Sequence, residues 1–263
     1  MDLSTLLSGY ADQAVTLVEP GGNYGDRLIY LGAERLVRAS GIVPRRFRHA
    51  EFMRARLTAG EVVYIHGSGG GVPFWSGTPI MALRQAVAQR CGAVILGPTT
   101  FSADRAFVRS IFRDLVPKCD RVVAFARERV SHEILMSVAP SWSEVALDHD
   151  TALHLSPADL PIVSRADGEV LLAFRQDKES PLGFRYPDGA VDPTRTAKSF
   201  DDWLRMHLRA GRIWTNRLHS AIAGAIAGVP TTLFPNSYHK NRAVWEFSLA
   251  GRGIEWLDRP DDV

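Results

Sequence analysis

The sequence predicts an α/β protein, and three observations carry that prediction. Short apolar runs rich in β-branched residues alternate with amphipathic stretches of helical period along most of the chain. Glycines and prolines punctuate the junctions, most densely at Gly21–Gly25 and Gly67–Gly71. A segment with two prolines, residues 156–168, interrupts the alternation. Because parallel strands need long crossovers, which are usually helices, the pattern predicts two Rossmann-like lobes, residues 1–160 and 161–263.

The predicted elements of each lobe can be given in chain order. In the first lobe they are strand Ala14–Val18, helix Asp26–Ser40, strand Glu61–Ile65, helix Thr78–Arg90, strand Ala93–Leu96, helix Ala103–Leu115, strand Arg121–Phe125, helix Ser131–Ser137 and strand Glu144–Leu147. In the second they are strand Glu169–Phe174, helix Ala197–Arg209, strand Arg212–Trp214, a helix opening near Arg217, strand Thr231–Phe234 and helix Asn241–Ala250. The basic run Pro44–His49 is interpreted as solvated surface.

Composition excludes several classes of protein. Of 263 residues 46% are hydrophobic, and the formal net charge is only +2, which argues against a nucleic-acid footprint over the whole surface. No stretch approaches the roughly 20 apolar residues of a membrane span, and residues 1–13 lack the pattern of a secretory signal. The two cysteines, Cys91 and Cys119, have no metal-ligand spacing. A reduced, cytoplasmic setting is expected.

The strongest functional signal is the start of the helix near Arg217. Apolar side chains then recur at helical spacing through Ile226, which predicts a helix buried on one side, with Thr215 or Asn216 as N-cap. The positive end of a helix attracts anions, and an arginine fork fits phosphate or carboxylate. His219 adds a proton that moves near neutral pH. A local salt bridge and a structural histidine remain the alternative interpretation of the two residues.

The first glycine loop runs from Pro20 to Arg27, between a strand and a helix. This arrangement lets backbone amides approach an anion or a hydroxylated ligand, and it includes Asn23 and Gly25. Asp26 has two interpretations that both stay open: a helix N-cap, and a carboxylate that binds or activates a hydroxyl.

The second glycine loop, Ile65–Val72, also follows a strand and includes Gly69 and Gly70. It is a poor dinucleotide fingerprint, and neither loop continues into the Gly-Lys-Ser/Thr of phosphate-loop enzymes. His66 and Ser68 resemble the oxyanion segment of α/β-hydrolase esterases. The sequence, however, contains no Gly-x-Ser-x-Gly elbow to supply the nucleophile.

A last polar loop, Phe234–Arg242, follows the strand after the anion-binding helix. It holds His239 and Lys240. Since the carboxyl ends of parallel strands share one edge of a sheet, these groups are expected to face the same ligand as Arg217 and His219. A solvated basic loop is the alternative interpretation.

Taken together, these segments resemble the polysaccharide pyruvyl transferase family. The resemblance runs from about Val15 to Leu249 and lies in the order and spacing of several motifs. They are Gly22–Asp26, Gly67–Gly71, Arg127–Ser131, Asp150–Ala152, Arg175 with Asp177 and Glu179, Arg217–His219 and Tyr238–Asn241. His66 and Ser68 stand where relatives often carry glycines, and the second lobe is short.

The resemblance implies a fold similar to the two-lobed GT-B glycosyltransferases, with a shortened second lobe. It also implies transfer of the enolpyruvyl group of phosphoenolpyruvate to a sugar hydroxyl pair, giving a ketal in exopolysaccharide or cell-surface glycan biosynthesis. In that family an Arg-Leu-His segment contacts phosphoenolpyruvate, and the resemblance implies the same role for Arg217, Leu218 and His219. We expect His219 and Asp26 to be catalytic, with His66 in reserve. The expected substrate-binding residues are Arg217, Leu218, Lys240, His239, Asn23, Gly25, Gly69 and Gly70.

The resemblance also implies which substrates and partners the protein has. The reaction needs phosphoenolpyruvate and a sugar acceptor but no metal and no organic cofactor. A lipid-linked acceptor would place the protein at the inner face of the cell membrane, in peripheral contact with an assembly complex. Two other functions remain open: a sugar-nucleotide glycosyltransferase on the same fold, and a catalytically silent carbohydrate-binding relative.

Overall fold

The computed structural model describes residues 1–164 and 166–260. By its contacts the chain forms two compact units, residues 1–21 with 29–154 and residues 22–28 with 155–263. Each unit contains a parallel sheet, one of six strands and one of four. The α/β prediction with two Rossmann-like sheets is therefore confirmed, whereas the likeness to GT-B enzymes stays a prediction.

The first unit is a six-stranded parallel sheet covered on both faces. Its strands are β1 (Val15–Glu19), β2 (Arg45–Arg48), β3 (Val62–Ile65), β4 (Ala93–Thr99), β5 (Arg121–Ala126) and β6 (Glu144–Leu147), in the spatial order β2-β1-β3-β4-β5-β6. Its helices are α1 (Leu3–Ser8), α2 (Tyr24–Ala39), α3 (His49–Phe52), α4 (Gly77–Val87), α5 (Arg105–Ile111) and α6 (Arg129–Val138). Helices α1 and α2 cover one face and α3 to α6 the other, each with its own apolar core. Strands β3 and β4 are buried throughout, as continuous apolar runs should be.

The second unit is a four-stranded parallel sheet. Its strands are β7 (Ala166–Ala173), β8 (Ala210–Thr215), β9 (Thr231–Leu233) and β10 (Ile254–Trp256), in the order β10-β9-β8-β7. Its helices are α7 (Pro193–Thr196), α8 (Phe200–Arg209), α9 (Leu218–Ala227) and α10 (Lys240–Val244), with a π-helical turn (Trp245–Leu249) after α10. Helix α9 lies very close to β9, since a Cβ on Gly224 would clash with the Thr231 hydroxyl. The left-handed Gly228, at φ 65°, ends that helix.

Several elements differ from the sequence prediction. Arg45–Arg48 is not merely solvated surface but the edge strand β2, whose arginines stay exposed, so no apolar alternation marks it. Helix α8 begins at Phe200 rather than Ala197, because the Ser199 hydroxyl accepts the Asp202 amide at 3.1 Å and caps the helix there. The short elements α1, α3, α7 and β10 were not predicted, and α7 lies where the sequence indicates a polar loop. Within residues 1–164 and 166–260 no helix is long and apolar enough to cross a membrane.

Candidate functional site

The turn from β8 into α9 holds the residues with the strongest sequence signal. Thr215 ends β8; its hydroxyl donates to the Ala173 carbonyl at 2.6 Å and accepts the Arg217 amide at 2.9 Å. Arg217 itself occupies the N-cap position, and its carbonyl accepts the amides of Ser220 and Ala221. The predicted cap at Thr215 or Asn216 was wrong by one or two residues, because Thr215 still belongs to the strand.

Arg217 is held by two carboxylates. Its Nη2 donates to Asp192 Oδ2 at 2.6 Å and lies 3.3 Å from Asp177 Oδ2. Burial would raise the pKa of Asp192, but the hydrogen bond and charge of Arg217 outweigh it and hold that pKa below its usual value. Asp192 also caps α7, accepting the Thr194 amide at 3.1 Å. The guanidinium is therefore fixed in orientation at the carboxyl edge of the sheet.

Arg175 and Lys240 extend the same network. Arg175, just beyond β7, bonds Asp177 at 2.9 Å and also Glu179, and Lys240 pairs with the same Glu179. The Tyr238 hydroxyl donates to Glu179 at 3.3 Å. Burial lowers the pKa of the Arg175 guanidinium, but its carboxylate partners Glu179 and Asp177 raise that pKa by more. The net result is a pKa above the ordinary value. Three cations and three carboxylates thus form one ion-pair network in which Arg217 and Lys240 are linked.

Buried amides surround this network and leave donors unsatisfied. Asn216 Oδ1 accepts the Arg175 amide at 2.8 Å, and Asn241 Nδ2 bonds the carbonyls of Asn216 and Phe234. Asn236 Oδ1 accepts the Asn241 amide at 3.1 Å. Yet Asn216 Nδ2, Asn236 Nδ2 and Arg217 Nε have no hydrogen-bond partner anywhere in the described part of the chain. Buried donors without acceptors are costly, and they cluster at the edge where sequence predicted an anion.

The first glycine loop meets α9 within the second unit. Asn23 caps α2, with Oδ1 accepting the Gly25 amide at 2.8 Å, while Asp26 accepts the Asn23 amide at 2.8 Å. Asp26 therefore takes the third helical position and not the cap, and its carboxylate bonds back to the amide of the residue before the helix. A Cβ on Gly25 would lie 2.6 Å from His219 Cβ and 2.8 Å from its Nδ1. Only glycine fits there, so residues 23–26 and His219 are brought into contact.

The remaining predicted residues of the second unit are less informative. Leu218 begins α9 with its side chain in the core, and His239 lies just before α10 with its ring 5.6 Å from that of Tyr238. No sequence motif selects Asp192, and Asp177 and Glu179 are indicated only by the family resemblance. The one available signal for Asp192 was its place before Pro193, which is typical of a helix start.

A second polar cluster lies beneath α9. His207, on α8, places Nε2 2.8 Å from the Ser220 hydroxyl and Nδ1 2.7 Å from the Trp203 carbonyl. The carbonyl can only accept, so Nδ1 carries the proton and Nε2 accepts from Ser220. Burial, followed by the charge of Arg217, lowers the pKa of His207 to about 4. A neutral histidine therefore ties the first turn of α9 to α8.

The first unit holds the other three predicted residues. His66 is buried, with its ring 4.5 Å from that of Tyr30. Gly70 donates its amide to the Ser68 hydroxyl at 2.9 Å, and an added Cβ there would clash with Pro79. A Cβ on Gly69 would have Arg127 Nη2 as its nearest neighbour, at 3.9 Å.

Arg127 is the buried cation behind this second glycine loop. Its Nη1 bonds Asp150 at 2.8 Å and its Nε bonds the Thr100 hydroxyl at 2.7 Å. Both charged side chains of the pair are almost wholly inaccessible. No group of three or more His, Cys, Asp or Glu side chains suited to a metal ion occurs among the residues that the structure describes.

Comparison with known proteins assigns this arrangement to a family. The model of the polysaccharide pyruvyl transferases matches residues 23–238, which include Asn23–Asp26 and every member of the ion-pair network except Lys240. The chain belongs to the polysaccharide pyruvyl transferase family. Among solved structures, an uncharacterized protein from Klebsiella pneumoniae has the same fold, with a TM-score of 0.74 at 20% identity over 97% of this chain and 96% of that one. A search of the curated proteins found no match.

Proposed function

We propose that this pyruvyl transferase takes its pyruvyl group from phosphoenolpyruvate and forms a cyclic ketal on two hydroxyls of a sugar. One observation carries the proposal: the unsatisfied buried donors Arg217 Nε, Asn216 Nδ2 and Asn236 Nδ2 belong to the turns at the carboxyl edge of the second sheet. A small ligand with both a carboxylate and a phosphate supplies the acceptors that these donors lack.

The three carboxylates of the network have a positioning role in this proposal. Buried cations without counter-ions would be destabilising, and Asp192, Asp177 and Glu179 remove that cost before the donor binds. Only Nη2 of Arg217 bonds the carboxylates, so other N–H groups of its guanidinium remain for the ligand. Phosphoenolpyruvate thus meets N–H groups whose directions are fixed before it binds.

The chemistry needs one proton donor and one proton acceptor near the bound donor. His219 gives a proton to the methylene carbon of phosphoenolpyruvate, and the first sugar hydroxyl bonds to C2 while Asp26 takes its proton. The bond from C2 to the phosphate oxygen then breaks, releasing inorganic phosphate, and the second hydroxyl bonds to the cationic C2 while its proton passes to the released phosphate. The contact of Gly25 with His219 supports this pair, since it joins the Asp26 loop to the histidine. General acid and base catalysis contributes about 10²- to 10⁴-fold each.

The proposal extends to the pathway and the location in which the protein acts. We infer a role in the biosynthesis of an exopolysaccharide or cell-surface glycan, in the cytoplasm, with the acceptor carried on a lipid at the inner face of the membrane. Phosphoenolpyruvate is a substrate, and the steps above require no further cofactor. His239, Asn23, Gly69 and Gly70 are assigned to substrate binding, and His66 is the reserve acid or base.

Calorimetric titration of phosphoenolpyruvate into wild type and two matched variants tests the donor. Arg217→Lys keeps a positive charge for Asp192 but removes the planar fork, so we expect binding to weaken at least about tenfold with the fold intact. Arg212→Lys makes the same change on an exposed side chain of β8, the strand that precedes Arg217, and should leave binding unchanged. Equal binding by all three proteins would refute the assignment of Arg217.

Two parallel titrations separate the alternatives. Binding of uridine or guanosine diphosphate sugars that depends on Arg217, without binding of phosphoenolpyruvate, would indicate a glycosyltransferase. Sugar binding without phosphate release from phosphoenolpyruvate would indicate a silent relative.

A further inference from the structure

Positive charge is concentrated in one short segment of the chain. Residues 34–56 contain seven arginines and only two glutamates, whereas the whole chain has 31 basic and 29 acidic residues. The rest of the sequence is therefore slightly acidic. This asymmetry is the strongest local charge in the molecule, and the proposed transfer reaction makes no use of it.

The fold places five of these seven arginines along one edge of the first sheet. Strand β2 is an edge strand, so Arg45, Arg46 and Arg48 are exposed, and Arg54 and Arg56 follow from the short helix α3. We call these five residues the arginine edge. Carboxylates neutralise only part of its positive charge: Glu61 pairs with Arg45, and Glu34 pairs with Arg46. The side chains of Arg48, Arg54 and Arg56 form no ion pair within residues 1–164 and 166–260.

Exposed apolar side chains flank the arginine edge. Val43, just before β2, is 94% exposed. Helix α4 packs beside α3, because Gln85 on α4 donates from its Nε2 to the carbonyl of Met53, just after α3, at 3.5 Å. Met81, one turn earlier on α4, is 48% exposed, and Trp75, just before that helix, is 43% exposed. Apolar and aromatic side chains beside arginines are typical of surfaces that lie at a lipid interface.

We propose that the arginine edge, with Val43, Trp75 and Met81, docks this unit on an anionic phospholipid surface. Charge complementarity selects the anionic partner, and the exposed apolar side chains favour a bilayer over a nucleic acid, which offers no apolar layer to enter. Each arginine near such a surface strengthens binding about fivefold. The inference does not rest on pyruvyl transfer, since vesicle binding is measured without phosphoenolpyruvate.

Co-sedimentation with lipid vesicles tests the proposal. The probes are vesicles of phosphatidylcholine alone and of phosphatidylcholine with an equal amount of phosphatidylglycerol. We expect wild type to bind only the second kind and to dissociate at about 1 M salt, where the Debye length is about 3 Å. The test variant replaces Arg48, Arg54 and Arg56 by glutamine and should bind at least about tenfold more weakly.

A matched variant separates the surface from net charge. It replaces Arg105, Arg109 and Arg113 by glutamine. These exposed residues lie on and after α5, near the opposite edge of the sheet, so the variant should bind anionic vesicles as wild type does. Equal loss in both triple variants would overturn the proposal, as would equal binding of wild type to both vesicles. Tighter binding to an RNA, lost in the first variant, would assign the surface to nucleic acid instead.

Tryptophan fluorescence tests the apolar part. Emission of wild type should shift to the blue on addition of anionic vesicles, and Trp75→Phe should remove most of that shift while sedimentation persists. A shift that is unchanged in Trp75→Phe would show that this side chain stays in water and would overturn its place in the docking surface.

Discussion

Replacing Gly25 by alanine probes whether the first glycine loop and the start of α9 act together. The new Cβ would lie 2.6 Å from His219 Cβ and 2.8 Å from its Nδ1, closer than such atoms approach in real proteins. Both residues lie in the first turn of a helix, so neither can move alone, and either the imidazole or the start of α2 must shift by about 1 Å. Overpacking of this kind costs about 1–3 kcal/mol.

Part of that cost is offset by the better helix propensity of alanine. Alanine exceeds glycine by about 1 kcal/mol within a helix, so we expect a net loss of about 0–2 kcal/mol of unfolding free energy. Misplacing a catalytic group by about 1 Å costs about 10²-fold in rate. Catalysis should therefore fall far more than stability does.

The assay is phosphate release from phosphoenolpyruvate with a sugar acceptor, measured alongside unfolding in urea. Gly77→Ala is the matched control, because Gly77 opens α4 and an added Cβ there meets nothing within 4 Å. It should keep wild-type turnover and match or slightly exceed wild-type stability. If Gly25→Ala also kept wild-type turnover, the position of His219 against this loop would be irrelevant to catalysis and our assignment of the acid would be refuted.

Two further predictions concern buried polar groups outside the ligand site. His207 has a pKa of about 4, below the ordinary 6.5. Its neutral form therefore contributes about 3 kcal/mol to the free energy of unfolding above pH 6.5, and this contribution is lost as the pH falls towards 4. His207→Gln should flatten unfolding free energy across that window; an unchanged slope would contradict this. Asp150→Ala should cost about 3–5 kcal/mol by stranding buried Arg127, whereas Glu144→Ala, which breaks an exposed pair, should cost at most about 1 kcal/mol in urea titrations. Equal costs would contradict that ranking.

Local sequence patterns predicted most of the elements around the site. Strand β4 opens with the apolar run Ala93–Leu96 between two glycines, and α9 carries its apolar stripe to the glycine that ends it, so their own side chains specify them. Strand β2 was missed because an edge strand with exposed arginines has no apolar alternation. The short helix α3 and strand β10 are too short for a period to be recognised.

Contacts between residues far apart in sequence could not be predicted. Asp192 precedes Arg217 by 25 residues across a polar loop, and no spacing rule connects them, yet their 2.6 Å contact decides how the guanidinium points. The contact of Gly25 with His219 spans most of the chain. The sequence therefore predicts which groups carry charge and where strands end, but not which of their hydrogen-bond donors are already used.

That difference changes how donor binding should be understood. From sequence, Arg217 and Lys240 look like free positive charges that attract an anion by their net field. In the structure each is paired with a carboxylate, so the network offers little net charge and long-range attraction is weak. What remains for a ligand is a set of N–H groups held in fixed directions, including Arg217 Nε and Asn216 Nδ2. Lysine at position 217 preserves the charge but not those directions, which is why we expect that conservative change to be enough to weaken donor binding.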